Sequence, residues 1–542
     1  MLKLAVPEQH PPDSGEEMLH PAAIRDRLSR LPLLNTLDSL RQIHDSLHRM
    51  NRLSMRAGLR SESLDLYRVP IQFIGQNIEK QLASALFPHS NRHSRLAELC
   101  RETMLEMAFG YKSVILERAE SVRSNLYGSE ITQMIYRAMW YLAGALRNFA
   151  LSYASCPSGI WRELHTLYAY AGRRGVQQNA VKDSLHQDLG PSSVAQVYKQ
   201  SILFGLVDPY RLSAAGIRGT FRYLDQWAAL AEVRPYATPP THRCQFVIDP
   251  DADRPARSYL ETRTDEKGDH CLLLDTRGLT RRIHEQWNQI RAGFDLTESG
   301  LDNEFRKETW SEILEKSVLA WGLSPSRQFP REDRRTPFVL SPGLESVNYC
   351  LNNESRFRCN SENEAGDVQT VITGTFGQQQ FNRPEPEIGR QCWQSINDSV
   401  LGLQLEVSIE DEQKIIIRVG DMAAFKADED QSEWEVGVVR WARMEGLMLR
   451  IGLQKFIADA QAIAVRPVSA PESQYQHFKN SVMLSPVAAL QQPKTLITPP
   501  RIYARHRNLF VDDGEILHMF RCQRLMERNA HYEWFEYEDL DL

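Results

Sequence analysis

The chain lacks most of the patterns that mark an enzyme. It has no GxSxG elbow, no P-loop, no HExxH pair and no GxGxxG fingerprint. The usual frameworks for nucleophilic, phosphoryl-transfer, zinc-peptidase and dinucleotide chemistry are therefore missing. His284, His518 and His531 stand alone, with no nucleophile beside them, and catalysis is not expected. Cysteines occur from Cys100 to Cys522 without a single CxxC pair, which argues against a zinc ribbon or a disulfide framework and predicts reduced thiols. His242, Cys244, His270 and Cys271 follow no standard ligand spacing, and Asp249, Asp251 and Asp253 lack the glycine and closing glutamate of a calcium loop. No metal and no cofactor are expected.

Positive charge is also in short supply. With 64 basic against 70 acidic residues the net charge is −6, so nothing draws the whole chain to a nucleic acid polymer or an anionic membrane. Any anion site must be local. Long apolar runs are absent: MWYLAGAL, from Met139 to Leu146, is too short to span a bilayer and is followed by Arg147. The amino-terminal MLKLAVPEQHPPDSGEE meets proline and acid before any signal-peptide core forms. These features predict a cytoplasmic protein without membrane insertion.

What the chain does have is length and two textures. Its 542 residues exceed a single hydrophobic core and predict two to four domains. After a polar leader (1–20), helical periodicity holds over 21–234. Trp161, Leu164, Leu167, Tyr168 and Ala171 share one face, and a second stripe from Val194 to Leu206 ends at Asp208-Pro209, a cap-and-start pair for the next helix. IWRELHTLYAYAGRRG is similar to tetratricopeptide-like helices, but no fixed period appears, so the expectation is an all-α bundle or short solenoid. Residues 235–323 form a small α+β joint, with QFVIDP and HCLLLDTRG as short strands before further helices.

From 324 to 470 the texture turns to β. VLSPGLESVNYCL, CWQSI, LGLQLEVSI, KIIIRVGDMAAF, EWEVGVVRWARM, LMLRIGLQKF and AIAVRPV predict six or seven antiparallel strands in a small barrel, with the polar stretch 352–389 looped out. Residues 471–542 add a further β segment, either completing that barrel or forming a second module.

Two short motifs carry chemistry. In SRQFPREDRRTPF, Arg331 and Arg335 are spaced RxxxR, Arg334 sits beside them, and Arg327 makes an overlapping RxxxR with Arg331. Guanidinium forks match phosphate oxygens and the O6/N7 edge of guanine. Further on, NDSVLGLQL places Asn397 and Ser399 two residues apart, hence on one face of a strand, followed by Gly402. A glycine there permits close backbone approach.

Together the motifs resemble the PilZ domain, whose signature is an RxxxR segment before a six-stranded barrel and a [D/N]xSxxG strand on it. The resemblance covers about residues 327 to 470. It implies binding of cyclic di-GMP, with Arg331, Arg334 and Arg335 clasping phosphate and guanine while Asn397, Ser399 and Gly402 read a guanine edge. The expected protein is thus a receptor with an N-terminal helical domain and a PilZ-like barrel, coupling dinucleotide binding to a protein partner engaged by the helices. The alternative is a constitutive adaptor whose barrel has lost its ligand.

Overall fold

The computed structural model describes residues 2–12, 20–32, 35–120, 128–185, 191–237, 241–258, 270–322, 332–333, 335–359, 391–409, 416–428, 432–468, 477–488 and 491–540. The chain divides into two compact units, Met1–Ser326 and Arg327–Leu542.

In the first unit, eight α-helices come first: α1 (Pro21–Ser29), α2 (Thr36–Asn51), α3 (Ala57–Ser84), α4 (Asn91–Glu120), α5 (Gly128–Leu151), α6 (Ile160–Arg173), α7 (Val194–Leu206) and α8 (Ala214–Trp227). The segment MWYLAGAL lies in α5, which is buried on nearly all sides and packs against α3, α4, α6, α7 and α8. A helix apolar around its whole circumference belongs in a core. Among the described residues no helix is long and apolar enough to cross a membrane. Asp208 caps only a short 3-10 turn from Pro209; the start of α8 is capped by Ser213, whose side chain accepts from the Gly216 amide. The chain therefore turns once more than Asp-Pro alone suggests.

The joint follows as β1 (Glu232–Pro235), β2 (Gln245–Ile248), β3 (Arg257–Ser258) and β4 (Leu272–Asp275), an antiparallel sheet in the order β1-β4-β2-β3, then α9 (Arg277–Ala292) and α10 (Lys307–Gly322). Trp321 is fully buried and donates from its indole to the Leu203 carbonyl (2.9 Å), tying α10 to α7. Aromatic N–H groups placed in a core need such a partner.

The second unit is built from β5 (Glu332–Asp333), β6 (Pro337–Pro342), α11 (Leu344–Leu351), β7 (Gln391–Ser399), β8 (Gly402–Ser408), β9 (Met422–Ala427), β10 (Glu435–Glu445), β11 (Met448–Lys455), β12 (Ala460–Pro467), β13 (Lys479–Leu484), β14 (Thr495–Thr498), β15 (Asn508–Asp512), β16 (Leu517–Arg528) and β17 (Glu533–Leu540). Because β7 pairs with both β6 and β8, the ladder β6-β9-β10-β11-β8-β7 returns on itself as a six-stranded ring. β12 to β17 close a second barrel in the order β12-β13-β14-β17-β16-β15.

Three expectations are corrected here. AIAVRPV does not belong to the first barrel: as β12 it pairs with β13 and β15, so the second barrel begins at Ala460 rather than at 471. In VLSPGLESVNYCL only the first part is a strand, since Gly343 (φ +97°) turns the chain into α11. Of KIIIRVGDMAAF only the second half is a strand, since residues 416–421 form none and β9 begins at Met422; Lys414, Ile415 and most of the stretch 352–389 lie outside the described residues.

α11 fills the seam between the barrels. Val347 and Cys350 join Met422, Val436 and Val438 of the first barrel and Val482, Leu484 and Ile497 of the second in one apolar cluster. Fully buried Asn348 donates to the carbonyls of Ile463 (2.9 Å) and Ser481 (2.8 Å), on β12 and β13. At the rim, Arg440 forks onto Glu527 (2.6 and 2.8 Å), which also accepts from Tyr532 (2.7 Å). Asn529 donates to the Gly420 carbonyl (3.1 Å). Polar groups sealed in a seam fix its register, since each would be costly unpaired. Asn348→Leu, similar in volume but unable to donate, is expected to lower stability by about 2–3 kcal/mol, read as a lower urea midpoint for the second unit; an unchanged midpoint would contradict this role.

Candidate functional site

The outer face of the first barrel is set by one irregularity. Ser395 of β7 faces inward: it is buried opposite Leu405, and its hydroxyl accepts from the Thr336 amide (2.9 Å). In a regular strand Asn397, two residues on, would face inward too. A register shift between Ser395 and Asn397 inserts Ile396 as an extra residue and turns Asn397 outward, opposite Gln404. Ser399 follows on the same face, opposite Gly402.

From Asn397 the register runs across the sheet through Gln404 and Gly452 to Trp441. Asn397 Nδ2 donates to Gln404 Oε1 (2.7 Å), and Ser399 Oγ to the Gly402 carbonyl (3.0 Å). The glycines differ in purpose. A Cβ on Gly452 would lie 1.9 Å from Trp441 Nε1, so this glycine makes room for the indole. On Gly402 a Cβ would meet nothing nearer than Ser399 Oγ at 3.4 Å, an ordinary contact, and its φ is not left-handed. The fold itself does not require glycine at 402, since a Cβ there would make only ordinary contacts, with Ser399 Oγ and the Leu453 carbonyl (3.6 Å).

β5 borders this platform. Glu332 pairs with Asp398 and Asp333 with Asn397, so these two residues run along the strand that carries Asn397 and Ser399. Arg335 is described and exposed; Arg327, Arg331 and Arg334 lie outside the described residues. Three cations of the barrel strands beside the platform are already occupied. Arg440 holds Glu527, Arg450 contacts Glu406 (3.1 Å) and Glu445 (2.6 Å), and Lys455 lies 3.0 Å from Asp398 and 3.5 Å from Glu435. These three cations each already face an acidic partner.

The sequence did not disclose Gln404, Gly452 or Trp441 as members of this surface. Alternation in GLQLE puts Gly402, Gln404 and Glu406 on one face, which is a legible signal. The Gly452–Trp441 pairing depends on cross-strand register and is not.

A mainly helical unit with one small four-stranded sheet, followed by two six-stranded barrels of which the first bears this platform beside β5, defines a PilZ-containing protein without an evident catalytic centre among its described residues. In comparison with known proteins, models of one family's N-terminal, middle PilZ and C-terminal β-barrel domains, those of the cyclic-di-GMP receptor FimW, match residues 22–238, 245–387 and 463–540 in that order; the PilZ span begins at β2 and includes β6 and α11 of the first barrel but not β7 to β11. The chain belongs to the FimW family. A Pseudomonas aeruginosa protein named cyclic-di-GMP receptor FimW is 24% identical over 527 residues, covering 88% of this chain and 84% of that protein. The middle span includes Arg331, Arg334 and Arg335, whereas Asn397, Ser399 and Gly402 fall between the matched spans.

Gly402→Ala is expected to leave stability within about 0.5 kcal/mol. Gly452→Ala, which displaces the Trp441 indole, is expected to cost about 1–3 kcal/mol. Thermal unfolding of the two variants checks the contrast, and equal losses would contradict the reading that the fold tolerates a Cβ at 402 but not at 452.

Proposed function

We propose that the first barrel binds cyclic di-GMP through the surface bounded by β5, β7 and β8. The observation that supports this reading is the pairing of Asp333, within the RxxxR segment, with Asn397 on the strand that carries the amide and hydroxyl. In this reading Arg331, Arg334 and Arg335 clasp the phosphates and a guanine face. Asn397 and Ser399 exchange their internal hydrogen bonds for a guanine edge, and Gly402 lets the base approach the backbone.

The protein acts by binding rather than by chemistry. It requires no cofactor, and its setting is the cytoplasm. Residues 323–331 join the helical unit to the barrels, and a doubly charged ligand that neutralises and orders this arginine-rich link changes which protein the helical unit engages. Differential affinity for two states is the only currency such coupling needs.

Titration of the full chain by calorimetry tests the reading, with GTP as the control ligand. Saturable cyclic di-GMP binding is expected, weakened about tenfold to a hundredfold by each of Arg331→Ala and Arg335→Ala, at about 1.5–3 kcal/mol per charge-assisted contact. Gly402→Ala is expected to weaken binding in a normally folded protein. Absence of binding would favour a constitutive adaptor whose helices engage their partner without the dinucleotide, and equal binding by the arginine variants would overturn the assignment of the site to the arginine segment.

A further inference from the structure

Far along the chain from the barrels, two helices of the first unit bring together a set of ligand-type side chains that the receptor reading does not use. His44 and His48 are one helical turn apart on α2, with ring centroids 5.7 Å apart. Glu102 and Glu106 have the same spacing on α4. An i,i+4 pair lies on one helix face, and here the two faces meet. One donor atom from each of His44, His48 and Glu106 lies within 4.8 Å of the others. Glu102 Oε2 approaches His44 Nε2 to 3.8 Å.

Two imidazoles and two carboxylates are a ligand set for a four-coordinate first-row cation, zinc above all. The surroundings suit that use. Glu106 is nearly buried, with only 6% of its side chain exposed, and is held from behind: Asn51 Nδ2 donates to both its Oε2 and its backbone carbonyl (2.7 Å each). An oriented carboxylate of this kind is what the outer sphere of a metal site provides. His48 and Glu102 are each 46% exposed and open a path from solvent.

Among the described residues one cation competes for the cluster: Arg52 Nη1 donates to Glu106 Oε1 (3.1 Å) and to the His48 carbonyl (2.8 Å), and a bound cation displaces it from Glu106. Asp45 lies 3.3 Å from His44 Nδ1 and favours a positive centre nearby. Without metal the same atoms form a hydrogen-bonded cluster in which His48 Nδ1 contacts Glu106 Oε1 at 2.9 Å.

We propose that His44, His48, Glu102 and Glu106 form a binding site for a divalent transition cation that clamps α2 to α4. The test uses untagged full-length protein, stripped with chelator and titrated with zinc chloride while bound zinc and the unfolding temperature are followed. One zinc per chain and a raised unfolding temperature are expected. His44→Ala with His48→Ala should lower the affinity at least about a hundredfold, and Glu102→Gln, at an exposed position that leaves folding intact, by about tenfold. His270→Ala, in the separate Asp249–His270–Cys271 cluster, should leave it unchanged. No stoichiometric binding, equal affinity in the His44/His48 variant, or loss in the His270 variant would each overturn the proposal and leave the α2–α4 cluster as an internal hydrogen-bond network.

Discussion

One extra residue in one strand determines what the first barrel shows to the outside. Successive side chains of a regular strand alternate faces, so a strand that buries Ser395 against Leu405 would bury Asn397 as well. The bulge at Ile396 resets the alternation and delivers Asn397 and Ser399 together to the outer surface, where β5 lies alongside. Closure of the ring, the Asn397–Gln404 contact and the placement of β5 all follow from the path of β7.

The second barrel makes that path rigid. Through α11, the apolar seam and the Arg440–Glu527–Tyr532 contacts, the two rings form one body. The bulge in β10 serves this purpose directly, since the register shift between Val439 and Trp441 frees Arg440 from regular pairing and aims it at Glu527. A surface meant to recognise a flat ligand gains from such support, because rigid neighbours lower the ordering cost of binding. The RxxxR segment lies in sequence at the junction of the two units. In the proposed receptor, a rigid half and a link ordered by ligand meet at β5.

Much of this was legible in the sequence, and what was not has a common cause. Helical periodicity marked the first unit because its stripes are long and regular, as at Trp161 to Ala171. The motifs at 331–335 and 397–402 were visible because each is local. LESVNYCL was misread as strand because a short apolar run fits either period; only the helix-starting turn at Gly343 and the two-sided burial of Val347 and Cys350 distinguish it. The strand from Ala460 to Pro467 was assigned to the wrong ring because alternation tells which face is buried but not which partner buries it. Gln404, Gly452 and Trp441 escaped for the same reason: their association is a matter of register between strands distant in sequence.

Hydrogen–deuterium exchange of the full chain with and without cyclic di-GMP tests the central claim most directly. The account predicts that added protection concentrates in two stretches, 331–335 and 397–404, with the second barrel unchanged. Protection confined to β12–β17 or to the helical unit, with those two stretches exchanging as before, would contradict it.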